Sequence, residues 1–343
     1  MMQKTIITLL LTLVTLPGWA QSRFTIHGNF EKVLNQISEV NVSVDSVTIV
    51  DATTNEVLAR EIVKNGIFTI EGVVSKPYFG KLNLWVSINR NGESLCRNAE
   101  FPIIIEPGDI LFDGNQNTPV ISGTPLNDVI KGVMGMDKTD TDNIRKLFIQ
   151  HKNDPAGVIL LLMMDAHTSN PATILSLIGQ LSEEGQKCKD IIAIKEKAER
   201  MMNSPKVGDK FTDFAVEYEG KTTRLSDYVG RSQYVLVDFW ASWCGPCRHE
   251  IPYLIAAYNK YKDKGLVVLG VAAWDEPANT LKAIEEDKIP YPQIINSQKI
   301  GTDIYGIDGI PHIILFAPDG TIIARDLRGE YIEKKLQEIF PDN

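Results

Sequence analysis

Two cysteines separated by a Gly-Pro pair, Cys244-Gly245-Pro246-Cys247, are the residues of this chain whose type and spacing could do chemistry. Such a pair closes a small disulfide or stays a dithiol. A strand-forming run, Tyr234 to Trp240, leads into it, and a helical stretch begins near Arg248. A thiol at a helix N-terminus has a lowered pKa, because unpaired N–H groups and the macrodipole favour the thiolate. The thiolate is the nucleophile of disulfide exchange. Cys244 is therefore the candidate nucleophile, and Cys247, one turn on, the candidate resolving thiol. Zinc is the competing use of such a pair, but it needs four ligands. No second Cys or His pair of ligand spacing follows, so neither a metal nor another cofactor is expected.

Asp238 stands six residues before Cys244 in an otherwise apolar strand. It is either an exposed strand-end charge or a buried carboxyl among Val237, Phe239 and Trp240. Burial would raise its pKa and let it take the Cys247 proton when a mixed disulfide is resolved.

The segment Val237-Asp-Phe-Trp-Ala-Ser-Trp-Cys-Gly-Pro-Cys247 resembles the active-site segment of thioredoxin. Pro252 follows Cys247 by five residues, where the thioredoxin helix has its proline. Gly309-Ile310-Pro311 precedes the apolar run Ile313 to Phe316, like the thioredoxin cis-proline loop; Pro318-Asp-Gly320, a second strand and a terminal helix then follow. The resemblance covers about residues 204–343 and is greatest to the TlpA/ResA-like envelope thiol–disulfide oxidoreductases.

That resemblance implies further roles. Pro311 would be cis and packed on the disulfide, with the Ile310 backbone pairing with an extended substrate chain. Gly245 and Pro246 form the pair found in thioredoxin, a reductant, and so favour reduction of substrates. Trp243, and Trp240 unless it is plain core, would offer partners an apolar surface. Substrate binding is thus assigned to Trp243, Gly245, Pro246, Ile310 and Pro311. ResA-like proteins also place a glutamate near the cysteines after the strand equivalent to Leu266–Trp274. Glu276, or its neighbour Asp275, would fill that place, unless it simply starts the next helix, with Asp275 as its N-cap. Of the histidines, His312 is either an ordinary strand residue, the favoured reading, or a group near the active site that tunes the thiolate, and His249 reads as solvent-facing.

The first twenty residues read as a secretory signal cleaved after Ala20, with Lys4 as the charge before an apolar run. That run is short for a span, which needs about 20 residues. No cysteine follows it to carry a lipid, and Val158 to Met164 is too short to span and reads as core helix. The protein is accordingly expected in the periplasm or cell envelope with no stable membrane span. Net charge is −9 without a basic run, which argues against nucleic acid as a partner. Four cysteines are too few for a disulfide scaffold. Cys96 and Cys188 are either two buried thiols or one disulfide.

The expected fold is multidomain. Residues 21–123 carry short, β-branched, partly alternating runs, with Asn65-Gly66 and Asn91-Gly92 as hairpin turns, and read as an antiparallel β-sandwich. The order Phe68-x-Ile-x-Gly72, Ile105-Glu-Pro-Gly108, Ser122-Gly-Thr124 resembles an uncharacterised β domain often fused upstream of envelope thioredoxins, which brings no chemistry. Residues 124–203 repeat Leu, Ile and Met at helical spacing and read as a helical spacer. Residues 204–343 alternate strands and helices, as in an α/β thioredoxin-like fold.

Together these point to an exported thiol–disulfide oxidoreductase that reduces protein disulfides; the resemblance implies envelope proteins as substrates, apocytochrome c among them, and a membrane thiol donor as the source of electrons. The rival readings are an oxidase or isomerase on the same fold, a peroxide-reducing enzyme, and a binding module with a passive thioredoxin scaffold.

Overall fold

The computed structural model describes residues 22–32, 41–90, 93–116, 118–136, 140–165 and 170–341. The signal segment and the Asn91-Gly92 turn lie outside these residues. Described residues up to 165, with 176–194, form one compact unit, and 170–175 with 195–341 form the other.

The first unit is built from eight strands: β1 (Ser22–Asn29), β2 (Asn41–Asp51), β3 (Val57–Ile62), β4 (Ile67–Val74), β5 (Tyr78–Arg90), β6 (Glu93–Ile105), β7 (Gly108–Asp113) and β8 (Val120–Ser122). They form two four-stranded sheets, ordered β4-β1-β7-β8 and β3-β2-β5-β6. Period-two alternation turns Phe24, Ile26, Phe68, Ile70, Ile110 and Phe112 of the first sheet, and Val47, Ile49, Leu82, Leu84, Ile103 and Ile105 of the second, into one apolar cluster.

One expectation is corrected here. The sheets are not wholly antiparallel: β1 runs parallel to β7, with Ile26 opposite Ile110. The long stretch of chain between these strands supplies the crossover that a parallel pair needs. Asn65-Gly66 does form a tight turn, with φ of 52° and 77° and reciprocal Lys64–Ile67 backbone hydrogen bonds of 3.0 Å. This closes the expected hairpin turn with an antiparallel Lys64–Ile67 bridge, beyond which the strands part, because β3 and β4 belong to different sheets.

Helices α1 (Pro125–Met134), α2 (Thr141–His151) and α3 (Pro155–Asp165) follow β8, then α4 (Pro171–Ile178), α5 (Glu183–Gln186) and α6 (Lys189–Asn203). A buried carboxylate locks α1 to β6. Glu106 accepts the N–H groups of Leu126 and Asn127 at 2.8 and 3.1 Å, and Asn127 exchanges two hydrogen bonds with the Ile104 backbone. Negative charge at a helix N-terminus is the favourable sign. The division between units falls inside α6, upstream of Ser204. The last turns of α6 hold the second unit through Lys197–Asp308 and Arg200–Asp303 ion pairs at 3.4 and 3.7 Å.

The second unit contains the hairpin β9 (Ala215–Tyr218) and β10 (Lys221–Arg224), turned at Glu219-Gly220. Its main sheet has the order β13-β12-β11-β14-β15, from β11 (Tyr234–Trp240), β12 (Leu266–Ala273), β13 (Gln293–Gln298), β14 (His312–Phe316) and β15 (Ile322–Arg325). The central β11 is parallel to β12 and antiparallel to β14. Helices α7 (Gly245–Tyr261), α8 (Pro277–Glu286) and α10 (Glu330–Ile339) send Leu254, Ala283 and Leu336 into the layer that holds Leu236, Trp240 and both cysteines. The opposite face buries Val235, Val237 and Phe239 against Phe214, Val216 and Tyr305, the last just beyond α9 (Ile300–Ile304).

Candidate active site

The sequence of β11 sets the site, because alternation points Leu236 and Trp240 toward α7 and leaves Asp238 between them on that face. The chain turns at Ala241-Ser242-Trp243 and delivers Cys244 as the N-cap of α7, where its sulfur accepts the Cys247 N–H at 3.1 Å. Pro246 sits in the first turn, where a missing N–H costs no helical bond. Cys244 and Cys247 are joined in a disulfide, with Cα atoms 5.2 Å apart. Cys244 is 4% exposed and Cys247 0%, so an incoming group meets the Cys244 sulfur first.

The Ile310–Pro311 peptide is cis. The Ile310 carbonyl oxygen lies 3.7 Å from the Cys244 sulfur, which puts a backbone acceptor at the mouth of the dithiol.

Asp238 is buried, and its Oδ1 has no hydrogen-bond partner among the described residues. Burial, and after it the negative charge of Glu250, push its pKa up to about 8, with Arg328 opposing. The nearby Tyr291 phenol is likewise driven upward, first by burial and then by Asp238. Glu250 was not among the sequence-based candidates. It is buried on α7, three residues after Cys247, and accepts the Gly329 N–H at 2.7 Å. The i, i+3 spacing from Cys247 was the signal that could have exposed it, since such residues share a helix face.

The other acids after β12 take different places. Asp275 accepts the Ser242 N–H and hydroxyl at 2.8 and 2.9 Å and the Thr280 hydroxyl at 2.7 Å. It braces the turn before Cys244 and is not the N-cap of α8. That position belongs to Glu276, whose side chain makes no capping bond. Glu276 is exposed and lines a shallow groove with Trp243, Trp274, Asn279, Gln298 and Lys299.

Trp243 is 62% exposed, and its indole N–H donates to the Trp274 carbonyl at 2.9 Å. Trp274 holds a left-handed φ of 55°, uncommon for a bulky residue, which aims that carbonyl. Trp240 is core, its indole donating to Gln293 at 2.9 Å. His312 lies opposite Phe239 and so faces away from the cysteine layer; burial, then Arg325, push its pKa down to about 4. His249 is exposed beside Tyr253. Cys96 and Cys188 are both free: Cys96 is exposed, and the buried Cys188 thiol is pushed up by desolvation. No helix among the described residues is long and apolar enough to cross a membrane.

Part of the chain is similar to known proteins. Residues 207–325 match the AhpC/TSA family. The thiol-disulfide oxidoreductase ResA of Geobacillus thermodenitrificans is 32% identical over 139 residues, 39% of this chain and 79% of that protein. The Bacillus cereus ResA is 29% identical over 133 residues, 38% of this chain and 75% of that protein. Among solved structures, the thioredoxin domain of a thiol-disulfide oxidoreductase from Bacteroides vulgatus is 35% identical, covering 40% of this chain and 99% of that one at a TM-score of 0.36. A thiol:disulfide interchange protein from a Bacteroides species is 37% identical, covering 39% and 90% at a TM-score of 0.35.

Proposed function

We propose that this chain, which belongs to the ResA-like thioredoxin family of thiol–disulfide oxidoreductases, reduces disulfides of exported proteins through Cys244 and Cys247. The observation that carries the reading is a Cys244–Cys247 disulfide at a helix N-terminus, over a buried carboxyl on the same layer. In the reduced protein the Cys244 thiolate attacks one sulfur of the substrate disulfide. A mixed disulfide forms, and the other substrate sulfur leaves as a thiolate. Asp238 takes the Cys247 proton, and the Cys247 thiolate attacks the Cys244 sulfur. The protein disulfide re-forms and the second substrate thiolate departs. The substrate gains two electrons, which a membrane thiol donor then restores to the protein.

Substrate recognition falls to the residues around this centre. The Ile310 backbone beside the cis Pro311 pairs with an extended substrate strand, and Trp243, Gly245 and Pro246 form the apolar rim. Glu250 is the second acid of the buried pair, a place the exposed Glu276 does not occupy. The signal segment at 1–20 would export the chain to the envelope.

Direction and chemistry are tested together. The dithiol potential should lie near that of thioredoxin, about −270 mV, and insulin disulfides should be reduced catalytically. A value between about −180 and −120 mV would instead mark an oxidase or isomerase. Turnover of peroxide without insulin reduction would mark the peroxide-reducing reading, and no turnover at all a binding module.

Limited alkylation of the reduced protein near neutral pH should label Cys244 before Cys247 and before the exposed Cys96. Peptide mapping that finds Cys247 or Cys96 labelled first would remove Cys244 as nucleophile.

We also propose that the thioredoxin-like part folds and works alone, and that the end of α6 belongs with it. A fragment of residues 195–343 should keep full insulin reduction. A fragment of 204–343, lacking the Lys197 and Arg200 ion pairs, should keep the activity with a lower melting temperature. These pairs are partly exposed, so the difference should be small, about 1 kcal/mol or less. Inactivity of both fragments would show that the first unit completes the site.

A further inference from the structure

The four residues between β15 and α10, Asp326-Leu327-Arg328-Gly329, reach the site from a side that the dithiol chemistry above does not use. One guanidinium nitrogen of Arg328 donates to the Pro311 carbonyl. The same nitrogen lies 2.7 Å from Asp326, while the other terminal nitrogen donates to the Leu327 carbonyl at 2.7 Å. The next residue, Gly329, turns its N–H onto Glu250 at 2.7 Å. Gly329 has φ +47° and ψ −130°, a backbone conformation that a side chain would strain. One short strap therefore touches both the cis-proline loop and the acid one turn past Cys247.

The charges around Asp238 give this strap a task. Glu250 faces it from α7 and the Tyr291 phenol from the segment ahead of β13. Its strand neighbours Gly270 and Ile313 carry no charge. Arg328 is the cation among the groups that act on Asp238. Two acids in a dry layer cannot both ionise unless a positive charge offsets them.

We propose that Arg328 is a positioning residue for resolution: fixed against the Pro311 carbonyl, and followed directly by the residue that binds Glu250, it sets a positive charge beside the acid layer so that Asp238 can ionise and take the Cys247 proton. The inference rests on Asp238 acting as that base. It also couples the two halves of the reaction, because the loop that receives the substrate strand and the acid pair that completes turnover share one anchor.

The test uses the full chain with Cys96→Ser, reduced and mixed with Ellman's reagent. The first release of thionitrobenzoate reports attack by Cys244, and the second reports resolution by Cys247. Both are followed across about pH 6 to 10 in the parent, Arg328→Met, Arg328→Lys and Asp238→Asn proteins. In Arg328→Met the midpoint of the second phase should move up by about one pH unit, the lower end of the effect of a nearby opposite charge, which slows resolution about tenfold below it. The midpoint of the first phase should stay in place. Arg328→Lys, which keeps the charge but not the fork, should return the second midpoint toward that of the parent. Coincident second-phase profiles in the parent and Arg328→Met, or a lysine variant that behaves like the methionine one, would overturn the proposal. If Asp238→Asn leaves the second phase unchanged, the base assignment falls and this inference with it. If Asp238→Asn acts but Arg328→Met does not, only the inference falls.

Discussion

Asp238→Asn is expected to flatten the pH dependence of stability and to slow resolution of the mixed disulfide by on the order of 10²-fold or more. Both effects follow from one buried carboxyl. In the unfolded chain Asp238 ionises near its ordinary value of 3.8, whereas in the folded protein burial and Glu250 hold it protonated up to about pH 8. Between those values the folded state binds the extra proton. The stability linked to it is therefore complete below about pH 4, declines as pH rises, and is lost once pH passes about 8. Each pH unit in that window corresponds to about 1.4 kcal/mol as an upper limit. The parent protein should thus lose a few kcal/mol more than Asp238→Asn between about pH 5 and 9. Denaturant titrations read by Trp240 fluorescence would measure this, since Trp240 shares the layer with Asp238. Parallel stability profiles for the two proteins would mean that the carboxyl is not the titrating group. For the kinetic effect, the mixed-disulfide lifetime should lengthen in Asp238→Asn and, to a smaller degree, in Glu250→Gln, with Glu276→Gln unchanged. A lengthened lifetime in Glu276→Gln alone would return the role to the acid after β12.

Cys247→Ala should turn the protein into a trap. The exposed edge of the disulfide belongs to Cys244, so first attack needs only that sulfur. With Cys247 gone, no internal thiolate can displace the bound substrate. Covalent complexes should accumulate that dissolve on adding dithiothreitol, while catalytic reduction of insulin falls to background. Cys244→Ala should abolish both turnover and trapping, a loss of several orders of magnitude because covalent catalysis has no substitute nucleophile. Cys247 cannot take over, being fully buried. Trapping through Cys247 in Cys244→Ala would reverse the two roles. Mass spectrometry of complexes recovered from cells would also identify the substrates directly.

Much of the second unit was legible in the sequence, because local patterns carry it. An apolar run before Cys244 and a helix after Cys247 can be joined by only a few residues, so strand, dithiol and helix N-terminus had to meet. Alternation along β11 likewise puts Asp238 on one face with Leu236 and Trp240, whatever the rest of the fold does. What alternation leaves undecided is the company of that face. Glu250 approaches Asp238 from α7, and Arg328 and Gly329 come from the far end of the chain. Only the i, i+3 spacing from Cys247 hints at Glu250, and nothing local distinguishes Arg328 from a solvated charge. Glu276 sits beside Asp275 in the sequence, yet the turn before Cys244 claims Asp275 and leaves Glu276 in an outer groove. In the first unit the strand runs were readable, but the parallel β1–β7 pairing was not, since pairing depends on which distant strand shares a buried face. Residue types and short spacings determined the chemistry available to this chain. Only tertiary packing decided which acids and which cation surround the dithiol, because proton affinity in a dry layer depends on charges brought together across elements and not on neighbours along the chain.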